Sequence, residues 1–329
     1  MFKKAISFLG VLTLVITSFL LIPFIPCGWC GEYPERPITV VVPYAPGATD
    51  IEARTLAPMM SKILGQSVLV ENRSGGGGSI GTNYVVQSKP NGYNLLYAAG
   101  TVLTLTPHVS DLPYKFDDLL PIAMTSYIPQ FLAVGVNTPW KTIQDFVEYA
   151  KKHPHVIKYG STGTGSAVHF CGEALAAAAG IELTHVPFKG VAEAITAVIG
   201  GHIDGVFAMP QPIIPQVRGG KLRVLAVCSS QRYPDLPDVP TLPEAGIPFE
   251  TRAGINWFGF FAPKGTPKPI CDKLTETVDK VITDQESFNT LRKIGSLPEF
   301  RGQKEFKTLL EKQSLMFKEL SDKLGVKKK

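Results

Sequence analysis

The sequence predicts an α/β protein of two lobes, each a mostly parallel sheet flanked by helices. Three observations predict it. From Tyr33 onward, short apolar runs alternate with longer segments of helical period. The chain has 329 residues, enough for two domains with cores of their own. Two glycine-rich turns, over 43–50 and 160–166, each sit between a strand-like run and a helix-like run. Glycine lets the backbone approach a ligand closely, and the helix that follows points free N–H groups into the gap. Two such cradles far apart in sequence suggest an anion held between two lobes.

The elements follow in order. Residues 38–42 read as a buried strand, and 50–64 as a helix with Leu56, Met60 and Ile63 at helical spacing. Pro58 inside that helix predicts a kink or an early break. Residues 67–71 form a second strand, a helix starts near Thr82, and 93–98 is a third strand. Residues 131–136 are a strand and 142–152 an amphipathic helix carrying Phe146, Val147 and Ala150 on one side. The second turn follows an apolar run from Val156 and leads into a helix over 166–179. Alternation continues through 182–186, 192–199, 203–208 and 222–228. Residues 233–248, rich in proline and acid, read as a surface loop. An aromatic strand over 256–262 and helices over 269–282 and 303–324 return to cover the first lobe.

The N-terminus stands apart from this pattern. Lys3 and Lys4 precede an apolar stretch from Ala5 to Pro26, which reads as an export signal, residues 1–31 in all. Gly28 and Cys30 suit a cut before Gly31; cleavage is favoured over retention as an anchor, and lipid on Cys27 is the weaker option. The bulk of the chain is expected outside the cytoplasm, in the periplasm. Cys171, Cys228 and Cys271 remain, without paired spacing, and read as small buried apolar residues. Without Lys3 and Lys4 the balance is 31 basic against 28 acidic side chains, and no basic stripe with aromatics argues for nucleic acid.

Each motif has a functional and a structural reading. In the first turn, Tyr44, Ala45, Gly47, Ala48 and Thr49 offer backbone amides and a hydroxyl, and Asp50 is expected to cap the helix. Ordinary strand-to-helix connection is the alternative. In the second, Ser161, Thr162, Gly163, Thr164, Gly165 and Ser166 combine glycines with hydroxyls, and Ser166 fits an N-cap. Thr101 joins the ligand-binding set. The segment 74–81 matches a dinucleotide fingerprint by letter, but no acid follows at a strand end, and a loop near the hinge or lining the pocket is the better reading. None of the 6 histidines stands in a catalytic or metal-binding motif, so no catalytic residue, metal or cofactor is expected. Asp204 either meets the ligand or caps a turn, and Trp257 either walls the pocket or packs the core.

These blocks together resemble the extracytoplasmic substrate-binding receptors of the tripartite tricarboxylate transporters, the Bug-type receptors. The resemblance runs over essentially all of the chain from Tyr33. It is carried by the 43–50 turn, Val70-Glu71-Asn72-Arg73 with its glycine run, Pro90-Asn91-Gly92-Tyr93, and the segment 160–169. His185-Val186-Pro187-Phe188-Lys189-Gly190, Gly200-Gly201-His202-Ile203-Asp204 and the block 257–263 complete it. One departure is that Gly47 stands alone where the family usually has two consecutive glycines. The resemblance implies a type II periplasmic-binding-protein (Venus-flytrap) fold, with lobe 1 over 32–134 and 254–329 and lobe 2 over 135–253. It implies a monomeric, non-catalytic receptor that closes on a small carboxylate and passes it to a two-subunit membrane permease. The rivals are an exported hydrolase using Ser161 or Ser166 with His169, and a receptor for a membrane sensor.

Overall fold

The computed structural model describes residues 33–326. The expected export segment 1–31, with Lys3, Lys4, Cys27 and Cys30, lies outside them, as does the basic tail 327–329. Contacts divide the chain into Met1–Glu35 and Arg36–Lys329. Of the first unit only 33–35 are described. The second contains two sheets.

The first sheet has the order β11-β4-β10-β3-β1-β2 and the second β7-β6-β8-β5-β9. In chain order the strands are β1 Ile38–Val42, β2 Val68–Asn72, β3 Asn94–Ala99, β4 Leu119–Pro129, β5 Phe131–Gly135, β6 Lys158–Ser161, β7 Thr184–Pro187, β8 Gly205–Ala208, β9 Leu222–Val227, β10 Ile255–Pro263 and β11 Leu297–Gly302. Pairing is mixed rather than mostly parallel. β1 runs parallel to β2 and β3, and β6 parallel to β7 and β8. The strands next to the crossings, β4, β5 and β10, pair antiparallel with their neighbours. The reason is the chain path. A strand that enters a sheet from the other half arrives at the end where the parallel strands leave, so it runs against them.

The registers fix where those ends meet. Phe258 of β10 pairs with Ala99, and Ile255 with Pro129, so the start of β10 and the end of β4 lie at the edge where β1 and β3 finish. Gln130 alone separates β4 from β5. Phe131 then pairs with Ala208 and Val227, the last residues of β8 and β9. Gln130 donates its amide to Gly254 O at 2.7 Å and accepts from Cys228 N at 2.8 Å, which ties both crossings together. The carboxyl ends of the parallel strands in both sheets therefore border the crossings, the place where α/β folds put ligands.

The long helix Gln303–Leu324 packs on both halves. Phe306 and Leu310 enter the core of the first sheet, and Met316 and Phe317 that of the second. Pro58 does not break the helix Ala48–Leu64. It sits on the exposed face, where the Arg54 carbonyl that loses its partner can meet water, while Leu56, Ala57 and Met60 are buried. Cys171, Cys228 and Cys271 are free and buried, as expected. No helix among the described residues is long and apolar enough to cross a membrane.

Candidate functional site

The first turn leaves β1 and enters the helix Ala48–Leu64. Ala45 to Ala48 are exposed, and Thr49 is half-buried. The N-cap is Gly47, which offers no side-chain hydrogen bond. Asp50 is not the cap. It lies inside the first turn of the helix, buried, and accepts from Arg54 Nε at 2.9 Å. The reason is its partner: it stands at the third helical position, and Arg54 one turn on takes the carboxylate that could otherwise bend back to the cap. Arg54 donates on to Asn72 Oδ1 at 2.8 Å, and Asn72 Nδ2 donates to the Tyr44 carbonyl at 3.1 Å. A chain of four polar residues thus braces the turn from behind while its amides stay uncapped.

Tyr44 turns inward. Burial pushes its phenol far above the ordinary value; the neighbouring Tyr114 adds to this and a hydrogen bond to Thr101 opposes it. That bond joins two residues of the expected site across the ends of β1 and β3. The glycine run lies beneath: Gly75, Gly76, Gly77 and Gly78 all have positive φ, and a Cβ on Gly78 would lie 2.9 Å from Tyr44 Cε1. The run is glycine because successive left-handed residues and a close ring require it. This supports the first turn rather than a nucleotide.

The second turn leaves β6 and enters the helix Ala167–Ala179. Ser166 is the N-cap and accepts from His169 N at 3.3 Å, as the sequence suggests. Thr162 and Thr164 are exposed; Ser161 and Gly165 are buried. The Ser161 hydroxyl lies 2.5 Å from His185 Nε2 and accepts from Gly163 N at 3.1 Å. Gly165 donates its amide to His169 Nδ1 at 3.2 Å. The amides of Gly163 and Gly165 are thus engaged within the turn. A Cβ on Gly165 would lie 3.5 Å from Val109, a residue of the helix Thr106–Val109 that follows β3. The second turn therefore touches a segment of the first half.

Below this turn lies a cluster that sequence reasoning missed. The rings of His169 and His185 are 4.0 Å apart. Glu173 Oε1 stands 3.8 Å from His169 Nε2 and accepts from Tyr159 Oη at 2.6 Å. Burial lowers the His169 pKa, and burial with the adjacent His169 lowers that of His185 to about 4, against the pull of Glu173. The spacing of His169 and Glu173 by one helical turn was the available signal. Ser161 meets His185 rather than His169, and it is 1% exposed, so it is a bracing hydroxyl and not an accessible nucleophile.

Asp204 lies away from the two turns, and Trp257 stands beside Gly100 at the end of β3. Asp204 accepts from Lys158 N at 2.8 Å at the opposite end of β6 from Ser161, where it ties the starts of β6 and β8 together. Trp257 is buried in the core against Tyr127, with ring centroids 5.9 Å apart, and its carbonyl accepts from Gly100 N at 2.7 Å. Its contribution is to seat Thr101. Among the described residues no group of three His, Cys, Asp or Glu is placed to hold a metal ion.

Comparison with known proteins agrees with this architecture. The family model described as the tripartite tricarboxylate transporter family receptor matches residues 52–326. A TctC solute binding protein from Polaromonas superposes with a TM-score of 0.78 at 32% identity, over 88% of this chain and 99% of that one. The periplasmic binding protein BugD gives 0.72 at 34% identity, over 90% and 100%. MatC from Rhodopseudomonas palustris, solved with bound malate, gives 0.71 at 30% identity, over 88% and 99%. These are solute-binding receptors and not enzymes. With a two-sheet fold of this kind, and a family match over most of its length, the chain belongs to the tripartite tricarboxylate transporter receptor family.

Proposed function

We propose that this receptor captures a small carboxylate in the periplasm, between lobe 1 (32–134 and 254–329) and lobe 2 (135–253), and delivers it to a two-subunit permease. The export-type N-terminus and the periplasmic description of BugD support the location. Malate in MatC supports the ligand class. It acts as a monomer, and the closed form gains contacts with the ligand that the open form lacks.

In this reading the amides of Ala45 to Thr49, apart from that of Pro46, which has none, receive the acid group, helped by the Thr49 hydroxyl and by the positive end of an uncapped helix. Thr162, Thr164 and Ser166 offer neutral donors from the other side, with Thr101 and Tyr44 closing the base. The observation that carries the reading is the lack of a side-chain cap at Gly47 in a turn that Asp50, Arg54 and Asn72 hold rigid. A helix start held in place with its donors unspent suits an anion. Asp204 and Trp257 act as supports.

Calorimetric titration of ligand-stripped protein tests it. Malate comes first, followed by succinate, citrate, glutamate and benzoate. At least one acid is expected to bind with a defined stoichiometry of one. A panel without a single binder overturns the proposal.

A further inference from the structure

We propose that His169 is a positioning residue whose neutral imidazole holds the second turn in its binding shape, so that acidification loosens the turn and weakens carboxylate binding. This rests on the reading of that turn as a ligand contact.

The tautomer follows from the bond. A backbone N–H can only donate, so Nδ1 of His169 must accept from Gly165, and its proton sits on Nε2 toward Glu173. A second proton has to go on Nδ1. There it would face the Gly165 N–H, donor against donor, and the bond is lost. Gly165 has φ +82, which glycine enters and leaves freely, so its local bonds rather than a backbone preference fix the turn. The neighbouring bonds transmit the change: Ser166 caps the helix through the His169 amide, and Ser166 N donates to Gly163 O at 3.2 Å.

The groups facing the imidazole set the direction. From β7 comes His185, 4.0 Å away by ring centroid, and a charge on one ring opposes a charge on the other. From β6 come Tyr159, whose proton is turned to Glu173, and Ser161 at its end. The side chain of β8 that meets Tyr159 is Phe207, which does not titrate. On the same helix stands Glu173, the one group that favours the charged ring. Arg252, Lys312, Glu319 and Lys323 line a groove with Ala174, Ala177 and Ala178, on another face of that helix. Desolvation wins for both rings, and their pKa values fall. A histidine with a depressed folded pKa contributes its full stability above the unfolded value of 6.5 and loses it as pH falls toward the folded value. The ring is therefore neutral and the turn intact at neutral pH, and the turn yields as pH falls to the lowered folded value.

The test has two arms. In ligand-free protein labelled with nitrogen-15, the Gly165 amide and the His169 ring nitrogens are followed from pH 8 to pH 4.5. Nδ1 is expected unprotonated at pH 8, and the Gly165 amide shifts with the His169 titration. A Gly165 amide that stays still while His169 titrates overturns the proposal. In the second arm, malate, or the panel acid that binds at pH 8, is titrated at pH 8 and pH 5 into the wild type and His169→Gln, whose side-chain oxygen can accept from Gly165 without titrating. Wild-type affinity is expected to fall about tenfold more than that of the variant, the equivalent of one backbone hydrogen bond. Because the acid is the same in both, its own protonation cancels. Equal pH dependence in the two proteins refutes the inference. If nothing in the panel binds at pH 8, the proposed function fails, and the first arm still decides what His169 does to the turn.

Discussion

Glu52 presents a carboxyl buried among hydroxyls. It is 1% exposed, on the inner face of the helix Ala48–Leu64. Its described partners are hydroxyls: Ser126, Ser296 at 3.1 Å, Tyr97 and Thr125. Burial raises its pKa above the ordinary 4.5, and these donors only partly oppose the shift. The hydrogen bonds suit a neutral acid. Thr125 donates to the Phe258 carbonyl at 3.2 Å, so Tyr97 can spend its proton on Thr125 at 2.9 Å and accept one from Glu52. The folded state then holds a proton that the unfolded chain releases above pH 4.5. Stability falls as pH rises, by at most about 1.4 kcal/mol per pH unit while the proton is kept. Glu52→Gln keeps an uncharged group of the same shape and removes the titration. The assay is urea unfolding of both proteins at pH 5, 6, 7 and 8, taken as a difference so that all other groups cancel. The variant is expected to gain on the wild type at each step up, until the folded pKa is passed. Parallel profiles, or a variant that loses ground toward pH 8, refute the reasoning.

Two further perturbations separate brace from contact. Asn72→Ala removes the bonds to Arg54 and to the Tyr44 carbonyl; it should cost about 1 kcal/mol in urea unfolding and weaken carboxylate binding several-fold, and unchanged affinity would show the brace to be idle. Gly78→Ala places a methyl 2.9 Å from the Tyr44 ring at φ +99, whereas Gly77→Ala at φ +65 meets open space. The first should cost about 2–3 kcal/mol and the second about 1 kcal/mol by thermal unfolding, and equal costs would mean that the glycines answer to backbone conformation alone.

How far the sequence carried depended on the kind of signal. Periodicity found the apolar strands and the amphipathic helices, because each is a local pattern. It missed β4, whose 11 residues are buried along almost their whole length and show no alternation. It missed β11 and the helices Pro210–Arg218 and Gln285–Lys293, where prolines or polar residues dilute the pattern. The turns themselves were legible, since glycine clusters mark them. Their bracing was not. Asn72 lies 28 residues from the carbonyl it holds, and His185 lies 24 from Ser161. Such pairs exist only once parallel strands bring their ends to one edge. The same blindness left Asp204 open between a ligand contact and a turn: only the folded register brings it to Lys158 at the start of β6.

In the proposed function the two turns divide the work of holding an anion, and one substitution tests the division. The second helix is capped by its own Ser166, which takes the His169 amide, one of its first-turn donors. The first has Gly47 at the cap, and its donors and partial charge remain for a guest. Gly47 is extended, with φ 176 and ψ −158, a backbone that any residue adopts, and a Cβ there would lie 3.7 Å from its nearest neighbour, Ala45 O. Serine is therefore tolerated at this position, and its hydroxyl can bond the amides of Thr49 or Asp50. Gly47→Ser should stabilise the free protein by roughly a few tenths of a kcal/mol, as serine in place of a glycine cap does. The same bond competes with the ligand carboxylate, so affinity should fall by the factor that this gain represents, about twofold. Thermal unfolding and calorimetry on one preparation give both numbers. A variant that is more stable and binds as tightly as the wild type would mean that the acid group is held elsewhere, and that the uncapped helix start has another purpose.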